Sequence, residues 1–184
     1  VPRASLAAFA RYLGLWDAAR RMLVAPHEAA ASLALDLALY EPVGRAARGI
    51  DRVAASEPES GAAHVLAALR EARLSLFRIT GRHPAGGLWL AEISSEDPVR
   101  LMDDTLSVIG APGAVYAMRI AQTDGEFAIT TGAVFPVDTA LLDAVRRQPP
   151  PPTQLQPSGE FAARLYRAAL EQDVFARGVP APRR

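Results

Sequence analysis

The 184-residue chain contains no cysteine. That excludes disulfides, thiolate metal centres, iron–sulfur clusters and a thiol nucleophile. Lysine and asparagine are also absent, so all 20 basic residues are arginine. Lysine-based phosphate loops and Schiff-base chemistry go with the lysines. Net charge is missing too, because 20 acidic residues offset the arginines. Without a basic excess to displace counterions, the composition argues against general nucleic-acid binding and against a polybasic membrane anchor. No apolar run reaches the roughly 18 residues of a membrane span; the apolar stretch Ala29–Tyr40 is short and carries Asp36. Val1-Pro2-Arg3 shows no charged-then-apolar leader. The expectation is a soluble cytoplasmic protein with no membrane partner, and the Arg, Ala and Pro bias reads as that of a bacterial gene with GC-rich codons.

Half of the residues are hydrophobic and 22% are charged, an ordinary globular composition. Leu6, Phe9, Leu13 and Trp16 share one helical face behind Ser5 as a cap, with the helix interrupted at Gly14 and resuming through Met22 and Leu23. A second helix spans Glu28 to Tyr40, a third Arg45 to Ala55, and a fourth follows Ser60 to about Arg73. At Leu74 the period changes to two. Strands are expected around Phe77–Ile79, Leu88–Ile93, Val99–Met102, Ala114–Gln122 and Glu126–Thr131, the last extending towards Phe135. His83 to Gly87 and Pro112-Gly113 are turns, and Asp124-Gly125 is a strong hairpin signal. A short helix covers Thr139 to Arg147. Four prolines, Pro149 to Pro152, form a stiff linker, and Ser158 caps a last amphipathic helix.

The fold class is therefore α+β: N-terminal helices, a central five-stranded antiparallel sheet or small barrel, and C-terminal helices. The expected division is a single domain over 1–148, comprising a helical layer 5–73, a β-unit 74–137 and a short helix 139–147. A linker at 149–157, a helix at 158–177 and a disordered tail at 178–184 follow.

Chemistry is harder to place. His27, His64 and His83 lack metal-ligand spacing, and no HExxH, GxSxG, GxGxxG or phosphate loop occurs. No metal or cofactor is expected. Glu92, Glu96, Asp97, Asp103 and Asp104 crowd the second and third strands, where exposed loop positions account for most of them. The catalytic candidates are His83 with Asp103 or Asp104, as an acid–base pair. Phe77, Trp89, Tyr116, Phe127 and Phe135 read as core, and strict alternation points Trp89 and Tyr116 inward. A stacking platform for single-stranded nucleic acid needs those rings exposed, with Arg78, Arg82, Arg100 and Arg119 on one face. The last helix presents Phe161, Leu165, Tyr166 and Leu170 as an apolar stripe. It either folds back or docks on a partner, including a second copy in a homodimer.

Several segments carry a family resemblance: Phe77-Arg78-Ile79-Thr80-Gly81-Arg82-His83, Gly87-Leu88, Val99-Arg100-Leu101-Met102-Asp103, Ala111-Pro112-Gly113, Phe127 to Gly132 and Pro136-Val137-Asp138. Asp36, Pro42, Gly44-Arg45 and Asp51-Arg52 fit the same pattern. The chain resembles an uncharacterised family of hypothetical proteins from proteobacteria, a domain of unknown function without an assigned activity. The resemblance implies that helices and sheet form one unit and transfers no catalytic residue. The leading functional expectation is a non-enzymatic accessory or protein-binding domain. The alternatives are a small-ligand binder or hydrolase using His83, and single-strand nucleic-acid binding by the β-unit.

Overall fold

The computed structural model describes residues 1–56, 63–123, 126–151 and 155–175. Helix α1 (Arg3–Tyr12) starts behind Pro2, so Ser5 lies buried inside the helix and caps nothing. Gly14, at φ +75°, ends the run, and the chain turns into a minimal hairpin, β1 (Trp16–Asp17) with β2 (Met22–Leu23), where a resumed helix was expected. Helix α2 (Glu28–Tyr40) has its expected bounds; the His27 imidazole caps it by accepting from the Ala30 N–H. Its alternating leucines are tolerated because the helix is buried on most sides. Helices α3 (Gly49–Ser56) and α4 (Ala63–Arg70) follow, and the Ser60 cap lies outside the described residues.

Seven further elements build the β-unit and its helix. They are β3 (Arg73–Arg82), β4 (Leu88–Glu92), β5 (Pro98–Leu101), α5 (Asp104–Ile109), β6 (Val115–Thr123), β7 (Phe127–Thr130) and β8 (Phe135–Pro136). The order is β3-β4-β5-β7-β6, and β6 returns to pair with β3, so the sheet closes into a five-stranded barrel with β8 attached to β6. An odd ring cannot alternate direction at every step. The expectation of a purely antiparallel sheet is corrected at one place, where β5 and β7 pair in parallel through Leu101 and Ala128. The β6–β7 hairpin forms as expected, although its Asp124-Gly125 turn lies outside the described residues.

Alternation along the strands sorts side chains between two cores. Phe77, Ile79, Leu88, Leu90, Leu101, Tyr116, Met118 and Ile120 fill the barrel interior. Helix α5, which periodicity of the strands concealed, plugs this interior with Leu106; Asp103 caps it by accepting from the Leu106 N–H at 2.8 Å. The leucines beside Trp89 take the interior, so Trp89 faces outward, 36% exposed, while Tyr116 is inside as expected.

The outer face of β6 lies under the helices. Ala117 joins α1, α2, α6 (Thr139–Arg147) and α7 (Pro157–Glu171) in the larger core. Pro157, not Ser158, opens α7, and Ser158 makes no cap. Leu165 and Tyr166 of α7 have no exposed surface and pack against this chain's own core, which withdraws them as partner-facing residues. Phe161 and Leu170 are half-buried against the same core.

Candidate functional site

The expected acid–base group does not assemble. His83 occupies the turn after β3, where its Nδ1 accepts from the Ala85 N–H at 3.0 Å and its ring meets Trp89 edge-on at 4.7 Å. Desolvation and the Arg100 guanidinium lower its pKa. Asp103 is used up locally: one oxygen caps α5 and the other accepts from the Thr130 hydroxyl at 2.7 Å. Asp104 is exposed in the first turn of α5. Among the described residues, no hydrogen bond or ion pair joins His83 to either carboxylate.

A different group of ionisable residues converges between α2, β6 and α7. Arg119, on the helix-covered face of β6, donates from Nε to Asp36 Oδ1 at 3.0 Å and from Nη2 to Asp36 Oδ2 at 3.1 Å. The same Nη2 reaches Glu41 Oε1 at 3.1 Å, and Nη1 reaches the Ala72 carbonyl at 3.4 Å. The Tyr166 hydroxyl donates to Asp36 Oδ2 at 2.8 Å. The guanidinium carbon lies 4.2 Å from the centroid of the Tyr40 ring, a cation–π arrangement. Side-chain exposure is 4% for Arg119 and 2% for Asp36, so these charges persist only because they satisfy one another.

Burial and pairing act in opposite directions here. Burial opposes the Arg119 charge, but Asp36 more than compensates and raises its pKa. Burial raises the Glu41 carboxyl against the pull of Arg119. The Tyr166 phenol is raised well above its ordinary value by burial and by the adjacent Asp36 carboxylate. Two glycines make room for the group. A Cβ at Gly132 would lie 2.6 Å from Asp36 Oδ1, and one at Gly159, in the first turn of α7, would overlap Glu41 Oε2.

Alongside this group runs a cleft of about 710 Å³ between α2 and residues 130–134. Leu35, Leu39, Val134 and Phe175 supply apolar wall, and Glu28, Ser32, Asp36, Tyr40 and Thr131 supply polar atoms. Thr131 Oγ1 is buried without a hydrogen-bond partner. Among the described residues, no arginine or histidine lines the cleft. Burial raises the Tyr40 phenol, with the neighbouring Thr131 hydroxyl acting in the opposite sense.

In the sequence Asp36 stands out as an interruption in an apolar stretch and as part of the family resemblance, and Arg119 enters only among the arginines that a nucleic-acid platform would need on one face. An acid midway along an Ala- and Leu-rich helix is the available signal, since such a position must be buried and therefore partnered. The partner lies 83 residues away and could not be named from spacing.

A family model described as "Family of unknown function (DUF7986)" matches residues 1–151, which takes in the barrel, α2, Asp36 and Arg119 but not α7. Nothing matches among the curated proteins or the solved structures.

Proposed function

We propose that this chain, which belongs to the family of unknown function DUF7986, is a non-enzymatic binding domain, and that the α2 cleft holds a small amphipathic molecule with a cationic or donor-rich head. One observation carries this reading. The cleft combines apolar walls with two carboxylates, several hydroxyls and, among the described residues, no basic side chain, the usual make-up of a ligand pocket with a few orienting polar groups. Thr131, Gly132 and Ala133 form one side of the cleft, so a head group seated there lies against them. Asp36 is already committed to Arg119 and Tyr166, which favours recognition over proton transfer at the cleft floor.

The test uses a matched pair of probes, n-hexylammonium and hexanoate, titrated into the full chain and followed by amide chemical shifts. The expected result is saturable binding of the amine, mapped to Thr131, Gly132 and Ala133, weakened by Thr131→Val and absent for the carboxylate. Equal binding of both probes, or shifts mapping away from the cleft, would overturn the reading.

A further inference from the structure

Helix α7 ends in a way that fixes where the chain goes next. Asp173 makes a left-handed turn at φ +51°, and the Val174 N–H donates back to the Ala169 carbonyl at 3.1 Å. The turn delivers Phe175 to the start of α2, where its ring centroid lies 5.5 Å from that of His27 and 5.3 Å from that of Phe135. Phe175 also lines the α2 cleft. Residues 176–184 therefore continue from a wall of the cleft, beside the N-terminal end of α2.

The α2 wall is ordered along the helix axis. Glu28 stands in its first turn, exposed and without an ion pair among the described residues. Ser32 follows one turn on, and Leu35, 40% exposed, and Leu39 continue the lining. The sequence beyond Phe175 has a matching order. Arg177 comes first, the run Val179-Pro180-Ala181-Pro182 comes next, and Arg183-Arg184 follow, with no acidic residue among them.

From this match we infer that segment 176–184 of the same chain is the cleft's own occupant. Arg177 pairs with Glu28, and the Val179–Pro182 run covers Leu35 and Leu39. The spacings agree. Leu35 and Leu39 lie about 10 and 16 Å along the helix axis from Glu28. In a polyproline II conformation, Pro180 and Pro182 lie about 9 and 16 Å beyond Arg177. Proline at both positions favours an extended run, which lowers the ordering cost of docking. An exposed ion pair contributes little alone; cover over the two leucines and the tether at Phe175 supply the rest. The tether also favours the chain's own segment over that of a second copy, because a short linker gives an effective concentration of roughly millimolar. Docking stands on these contacts, and its consequence rests on the ligand-cleft reading above: the docked segment competes with an amphipathic amine, whose cationic head Arg177 mimics.

The absence of cysteine lets a single label be placed without removing a native thiol. Ala181→Cys carries a nitroxide in the full chain, and broadening of amide signals reports what lies near it. The expected result is broadening at Leu35, Leu39, Gly132 and Ala133, none at Trp89 and Arg100, and relief of the broadening by n-hexylammonium. Adding Arg177→Gln or Val179→Ser, both outside the cleft lining, reduces the broadening. Each also tightens apparent amine binding about 2- to 10-fold, the gain on freeing a cleft that is about half to nine-tenths occupied. Broadening spread over the whole surface, or unchanged by both substitutions, overturns the docked segment. So does cleft broadening in a mixture where the nitroxide and the observed nuclei sit on different chains, which assigns the occupant to a second copy. The ligand reading fails separately. It falls if no variant binds the amine even though cleft broadening is present, and it stands if every variant binds the amine equally while that broadening is absent.

Discussion

Replacing Arg119 by Met removes the guanidinium that bonds both buried carboxylates while keeping most of the side-chain volume. Asp36 then faces Glu41 with Tyr166 as its remaining donor, at side-chain exposures of 2% and 10%. Removing one partner of a buried ion pair costs roughly 3–5 kcal/mol, a large share of the 5–15 kcal/mol by which a domain is ordinarily stable. The assay is urea unfolding followed by circular dichroism at pH 7 and again near pH 5, with stability taken from midpoint and slope. The pH dependence gives a second, independent check. Two buried carboxylates without a cation bind protons more readily in the folded chain than in the unfolded one. The folded variant therefore gains stability, relative to the parent, as pH falls. A loss below about 1 kcal/mol at pH 7, or a deficit that holds constant or grows towards pH 5, refutes the view that this ion group holds α2, β6 and α7 together.

Glu41→Gln should behave in the opposite way. Burial raises the Glu41 carboxyl above its unfolded value, so its ionised form is a cost that is fully present above the folded pKa and gone below the unfolded value of about 4.3. The glutamine variant is expected to match or exceed the parent in melting temperature at pH 7, with the difference vanishing by about pH 4; a large loss at pH 7 refutes this. Gly87→Ala should destabilise far more than Gly86→Ala. Both have positive φ, but a Cβ at Gly87 would overlap the Leu101 carbonyl oxygen, whereas one at Gly86 meets nothing within 4 Å. Thermal unfolding should show roughly 1 kcal/mol lost at Gly86 and at least about 2 at Gly87, and equal losses would count against close approach of the turn to β5.

Within the β-unit, the run Leu88-Trp89-Leu90 permits either register, and the structure turns both leucines into the barrel and Trp89 outward, opposite to the inward Trp89 that alternation suggests. The four arginines that a nucleic-acid platform needs on one face do not share one: Arg100 pairs beside the outward Trp89, Arg82 pairs with the interior Leu88, and Arg119 is turned under the helices. Helix α5 was missed because six residues give too little period to register, although Asp103 followed by Leu106 and Ile109 contains its cap and its buried face.

Local chemistry in the sequence is sufficient to determine α2, α6 and the main strands of the β-unit, because periodicity, capping side chains and turn residues act over a few positions. The same local information implies a last helix with one apolar stripe. Only the tertiary structure decides where that stripe goes, and it places Tyr166 on Asp36 inside the chain's own core. It also decides that β6 returns to β3, which forces one parallel pair into an odd ring. Finally, it brings Asp36 and Arg119 together across 83 residues. Each of these outcomes depends on which distant surfaces bury one another, and burial between distant elements leaves no spacing in the sequence to read.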